Sequence, residues 1–135
     1  MDPDNLRLTG RRNTPFPPDT YAFADLGVAI NLTGKTAAMD VRAVAGAGSA
    51  LISLDMAADA TSNGIWFTNT VGGIIRIQIS QAVMQSAWDA AKAAGLMKAG
   101  EAAPLLYDLL IYSADGVQEA WLEGDFIIEA GVTTP

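Results

Sequence analysis

The chain has 135 residues, half of them apolar, no cysteine, no histidine and a formal net charge of −7. That length suits one domain that buries a core without staples. The missing cysteines exclude disulfides and thiolate chemistry, and the missing histidines remove the commonest general base and transition-metal ligand, so the expectation is a protein that is not an enzyme, with no catalytic residue, no cofactor and no metal.

Met1 to Pro18 contain Arg7, Arg11, Arg12, Pro15, Pro17 and Pro18. Prolines lack an N–H and hold φ near −65°, so this stretch is expected to be an extended arm outside the central sheet, with Leu6 and Leu8 able to make one short strand. The arm reads either as a disordered terminus or as a segment that orders across a neighbouring subunit; in the second case Arg7, Arg11, Arg12 and Phe16 are the interaction residues. Residues 19–135 then form the folded domain. No basic stretch leads into an apolar core as a signal peptide would, so the chain is expected to start at Met1 and to bypass general secretion.

Tyr21 to Leu26 predicts a strand turned by Gly27, followed by Ile30 to Leu32 and, after the Thr33-Gly34 turn, Thr36 to Val44. In the last of these Ala37, Met39, Val41 and Ala43 alternate with Ala38, Asp40 and Arg42, giving one dry face. Ala45 to Ser49 is a small, flexible hairpin loop without the Lys-Ser/Thr of a phosphate cradle. Leu51 to Met56 follows as a strand with Ile52, Leu54 and Met56 inward. Asp59 to Gly64 is a polar turn. Ile65 to Thr68 pairs with Ile74 to Ser80, where Ile75, Ile77 and Ile79 share one face.

Ser80 to Ala94 breaks the alternation: Val83, Met84, Ala87, Trp88 and Ala91 lie on one helical face, Ser80 can cap the start and Gly95 can end it. Trp88 is expected to plug an open end of the fold. Leu96 to Pro104 reads as an exposed loop. Leu105 to Tyr112 alternates again as a strand. Asp115-Gly116 supplies a tight turn, Val117 to Glu123 returns, Gly124 marks a second turn or bulge, and Phe126 to Ile128 closes the domain. About eight strands with turns every ten residues or so predict an antiparallel β-sandwich with one helix at about 80–94.

The seven carboxylates Glu101, Asp108, Asp115, Glu119, Glu123, Asp125 and Glu129 account for the whole net charge, because the first hundred residues balance. This acidic end reads as a solvated face or as a surface complementary to a basic neighbour, and it repels phosphate backbones, which argues against nucleic-acid binding. No D-x-[DN]-x-[DN]-G calcium loop occurs. No apolar run approaches the ~20 residues of a membrane span.

Tyr107-Asp108-Leu109, a strand, the Asp115-Gly116 turn, a second strand, Leu122-Glu123-Gly124, an apolar strand and Val132-Thr133 together resemble the C-terminal half of a domain common in tailed-phage virion proteins, the immunoglobulin-like domain at the N-terminus of phage baseplate upper proteins. The stretch Ala29 to Arg42 resembles that family's Asp-Leu-Thr-Gly turn and following strand, with Asn31 in place of aspartate. Ile75 to Ser80 resembles its central strand before a short helix. Arg11-Arg12 follow Gly10 where the family has Asp-Thr. The likeness runs from Tyr21 to about Thr134. It implies an immunoglobulin-like sandwich serving as a structural part of a phage or prophage tail: a baseplate, tail-tip or fibre-attachment adaptor made in the bacterial host cytoplasm. Its partners would be other tail, baseplate or fibre proteins and further copies of itself in a symmetric assembly.

The alternative is a glycan- or receptor-binding sandwich, with Trp66, Trp121 and Tyr112 as stacking residues. A carboxylate hydrolase using Asp55 and Asp59 is disfavoured, since their spacing falls across a strand end.

Overall fold

The computed structural model describes residues 4–44, 49–98 and 100–131. In chain order the elements are β1 (Asp4–Asn5), β2 (Leu8–Arg11), β3 (Thr20–Ala22), β4 (Ala24–Asp25), β5 (Val28–Ala29), β6 (Thr36–Arg42), β7 (Ile52–Leu54), β8 (Gly64–Asn69), β9 (Ile74–Gln78), α1 (Gln81–Ala93), β10 (Ala103–Tyr112) and β11 (Gln118–Glu129). Strands β11, β10, β6 and β7 pair antiparallel in that order, and β1 and β2 join the other edge of β11 in parallel. The smaller sheet runs β3-β9-β8. The protein is thus a mainly β, sandwich-like fold with a single helix among the described residues.

The period-2 pattern decides which faces meet. Met39 and Val41 on β6, Leu105, Tyr107, Leu109 and Ile111 on β10, and Phe126 and Ile128 on β11 are buried, as are Ile65 on β8 and Ile75 and Ile77 on β9. Phe23 and Trp121 bridge the layers edge-on, with ring centroids 5.0 Å apart. Between Leu109 and Leu110 of β10 the register with β11 slips, leaving Trp121 of β11 as an extra residue. That bulge turns two consecutive side chains, Trp121 and Leu122, into the core, which strict alternation forbids.

Helix α1 follows the expected pattern. The Ser80 hydroxyl accepts from the Val83 N–H at 3.3 Å, Met84, Ala87, Trp88 and Ala91 form the buried face, and Gly95 leaves the helix at φ 76°. Because α1 joins the end of β9 to the start of β10, it lies at the end of the sandwich opposite the β8–β9 and β10–β11 turns.

Several expectations are corrected. Residues 4–11 are not a free arm: β1 and β2 lengthen the large sheet of their own chain, and Leu8 and Phe16 are core residues. Pro15, Pro17 and Pro18 behave as expected, lying between β2 and β3 outside any strand. The expected strand at Tyr21 to Leu26 breaks at Phe23, whose N–H bonds the Gly73 carbonyl, and continues as the β4–β5 hairpin. Ile30 to Leu32 is not a strand, because Leu32 is tied to the Thr70 carbonyl and the Asn31 side chain accepts from both the Thr33 N–H (2.9 Å) and hydroxyl (2.6 Å), closing a local turn.

Met56, expected inward, leaves β7 and is partly exposed, its sulfur accepting from the Ala37 N–H. The closing three strands are two, since β11 runs unbroken through Gly124. The hairpin loop expected at Ala45 to Ser49 lies almost wholly outside the described residues.

Candidate interaction surfaces

The outward side chains of the large sheet form its most charged surface. Glu123 on β11, Asp108 on β10, Asp40 on β6 and Ser53 on β7 are register neighbours, so three carboxylates stand abreast on adjacent strands. Arg42 pairs with Asp40 at 2.9 Å, and the Ser53 hydroxyl donates to the same carboxylate at 2.8 Å. The Asp108 carboxyl is pushed above the usual carboxylate range, first by burial and then by Asp40 and Glu123, with Arg42 opposing. A shallow concavity of about 530 Å³ spans this row, floored by Leu106 and Leu110. Chemically this face suits a cationic surface, which relieves repulsion that Arg42 offsets only in part.

The sequence-predicted interaction residues are differently placed. Arg7 pairs with Asp125 of its own chain at 3.3 Å across an exposed gap. Arg11 is exposed on β2. Arg12 donates to the Gln85 side chain at 3.1 Å, and its carbonyl accepts from Gln81, so it fastens β2 to α1. Phe16 is 5% exposed and stacks on Phe126 at 5.4 Å, a core contact and not a docking one. The residues proposed to reach a neighbour therefore mostly hold the segment to its own domain.

Of the aromatic stacking candidates, Trp121 is buried, with its indole N–H directed to Glu119 at 3.3 Å, while Trp66 lies on β8 opposite Arg76 of the small sheet. Tyr112 ends β10 of the large sheet, so the three make no common platform. Asp59 accepts from Thr61 and Ser62, and these hydrogen bonds lower its pKa, the signature of a turn-forming carboxylate that stays ionised. No group of three or more acidic residues among the described residues is arranged to hold a metal ion, and no helix among them is long and apolar enough to cross a membrane.

Sequence reasoning missed a third surface. At the end opposite α1, the β4–β5 hairpin, the β8–β9 turn and the β10–β11 turn come together. Phe23 and Leu32 donate backbone hydrogen bonds to Gly73 and Thr70, while Ile30, Lys35 and Val117 line one small depression. This end exposes Leu26 (99%), Val28 (69%), Val71 (67%) and Val117 (55%). The signal was present in Leu26-Gly27, an unusual pair for a tight turn.

Compared with known proteins, the chain matches no protein-family model and no curated protein.

Proposed function

We propose that the chain is a structural adaptor in the tail of a bacteriophage or prophage, in the baseplate, the tail tip or a fibre attachment, acting through protein–protein contacts as repeated copies in a symmetric assembly. The observation that carries this reading is the strand order. An immunoglobulin-like sandwich sets strands B-E-D against G-F-C with an added C′, and β3-β9-β8 against β11-β10-β6-β7 follows that order. The sequence resemblance to the immunoglobulin-like domain of phage baseplate upper proteins supplies the tail context for this reading.

Fold alone does not supply function. The surfaces add support: a carboxylate row suited to a basic neighbour and an apolar loop end. Docking through open sheet edges gains less support. Of the outermost strands, β1, β2, β3 and β7 have two to four residues, a common way of blunting strand addition, and the longer β8 has Met56 and Ala57 bridged to Ile65 on its outer side.

The test is mass spectrometry of purified particles from the producing host, with deletion of the gene. The expected result is this chain at a fixed copy number per particle, and defective tails or missing fibres in its absence. Particles that lack the chain and infect normally would dispose of the adaptor role.

A further inference from the structure

Three observations converge on the loop end. First, four of the large apolar side chains that the fold leaves exposed lie on the loops of that end: the β4–β5 hairpin and the β8–β9 turn are tied by backbone hydrogen bonds, and the β10–β11 turn meets them at the depression lined by Ile30, Lys35 and Val117. Exposed apolar groups grouped on one surface mark an interaction site, whereas scattered ones need no explanation.

Second, the β4–β5 turn is built the expensive way. Leu26 and Gly27 both have positive φ, 52° and 81°, the geometry of a two-residue hairpin turn whose first central position favours Asn, Asp or Gly. A leucine there is disfavoured by its Cβ and, being 99% exposed, recovers nothing by packing within its own chain. Local strain of this kind is retained where the displayed group is used.

Third, the rim is acidic. Asp25 precedes Leu26 in the turn, and Asp115 and Glu119 flank Val117, against Lys35 as the nearby cation. This decides among occupants. An anionic lipid surface repels such a rim. A second copy of the chain offers as its larger concavity the face of Asp40, Asp108 and Glu123, which carries the same sign. A different protein with an apolar depression and a basic rim fits both features.

We propose that this end of the sandwich is the docking tip of the adaptor, with Leu26 inserted into an apolar, basic-rimmed depression of a neighbouring protein of the assembly. The identity of the neighbour as an assembly protein rests on the adaptor reading. The left-handed turn holds Leu26 in its presenting conformation before contact, which lowers the ordering cost of association.

The experiment compares the full chain with Leu26→Asn. The probe is purified particles from a host deleted for the gene, titrated with each protein. Asparagine suits the turn, so L26N should melt a few degrees higher while binding the deleted particles at least about tenfold more weakly. Wild-type binding should weaken between about 0.15 M and about 1 M salt as the charged rim is screened.

Equal affinity of the two proteins would overturn the docking tip and leave the adaptor role standing. A lower melting temperature for L26N would show that the leucine is structural and also overturn it. Self-association, or binding to anionic phospholipid vesicles, that disappears in L26N would assign the tip to another occupant. Failure of the wild-type chain to bind deleted particles would sink the adaptor reading and this inference with it.

Discussion

The Tyr107 hydroxyl donates a 2.6 Å hydrogen bond to the carbonyl of Leu6, joining residues 101 apart in sequence. Tyr107 lies opposite Gly124 in the β10–β11 register, and the same Leu6 carbonyl would stand 2.8 Å from a Cβ placed on Gly124. One long side chain and one absent side chain together form the slot in which the N-terminal segment lies.

Tyr107→Phe should therefore cost about 1–2 kcal/mol, the loss of one hydrogen bond with a carbonyl left partly unsatisfied. Thermal unfolding would read this as a drop of several degrees. The bond also sets an alkaline limit. Burial, then Tyr21 and then Glu123, push the Tyr107 pKa well above its ordinary 10.0. A raised folded pKa means a contribution fully present below pH 10 and lost as pH climbs from there. Wild-type stability should fall more steeply above pH 10 than that of Tyr107→Phe, and parallel curves would refute the assignment.

The N-terminal segment should prove structural when cut. Phe16→Ala removes a buried ring stacked on Phe126, at a cost of about 3–5 kcal/mol. Deleting residues 1–16 also removes Leu8 and both parallel edge strands, so the remainder should unfold at markedly lower urea than the full chain. An unchanged urea midpoint for the truncated protein would return the segment to the status of a dispensable arm.

These residues also mark what the sequence made legible. Alternation in Leu105 to Tyr112 and in Thr36 to Arg42, and the helical face of Met84, Ala87, Trp88 and Ala91, were readable because each is local and the burial period is strict. What escaped depends on distant partners. The prolines correctly keep their stretch out of the sheet, but nothing local reveals that Leu6, Leu8 and Phe16 meet Tyr107, Phe126 and β11 more than a hundred residues later. Gly124 reads locally as a turn, whereas its lack of a side chain serves another strand. Trp121 reads as an outward residue until the bulge re-aims it. The acidic C-terminal run was visible, but its pairing with Asp40 needed the register between β6 and β10.

Gly124→Ala follows from that slot. The residue has φ 147°, and a Cβ would meet the Asn5 side chain and the Leu6 carbonyl, both at 2.8 Å. Because one of these is backbone, relief requires β1 to move away from β11, breaking the Leu6 N–H to Glu123 carbonyl bond of 2.9 Å and the Tyr107 bond together. The expected loss is about 2–3 kcal/mol, with amides of residues 4–6 losing hydrogen-exchange protection before the rest of the sheet. Gly10→Ala is the control: its nearest obstacle at 2.6 Å is the terminal methyl of Met84, the end of a flexible side chain. Its cost should be clearly smaller, and a reversed order of the two variants would count against the slot.

Asp108→Asn should raise stability at neutral pH. A carboxyl whose folded pKa lies above its ordinary 3.8 favours the fold below that value and loses this contribution as pH rises through the folded pKa, so the ionised group is a net cost at pH 7. Burial sets most of that cost and the register neighbours Asp40 and Glu123 add to it; opposed like charges across strands are worth about 0.2–1 kcal/mol, here toward the lower end because the face is partly open to solvent. The gain should shrink as pH falls through the raised folded pKa and be gone below the ordinary 3.8, and it should shrink again in high salt. Asp59 and Asp115 act in the opposite sense: their pKa values are lowered by hydrogen bonds within their turns, so their contributions are present above 3.8 and vanish as acid is added. A cationic protein docked on the carboxylate row would remove the same repulsion that Asp108→Asn removes. If such docking occurs, the variant should be more stable alone and bind the basic partner less tightly, and a variant that gains stability with no loss of binding would assign this face to solvent.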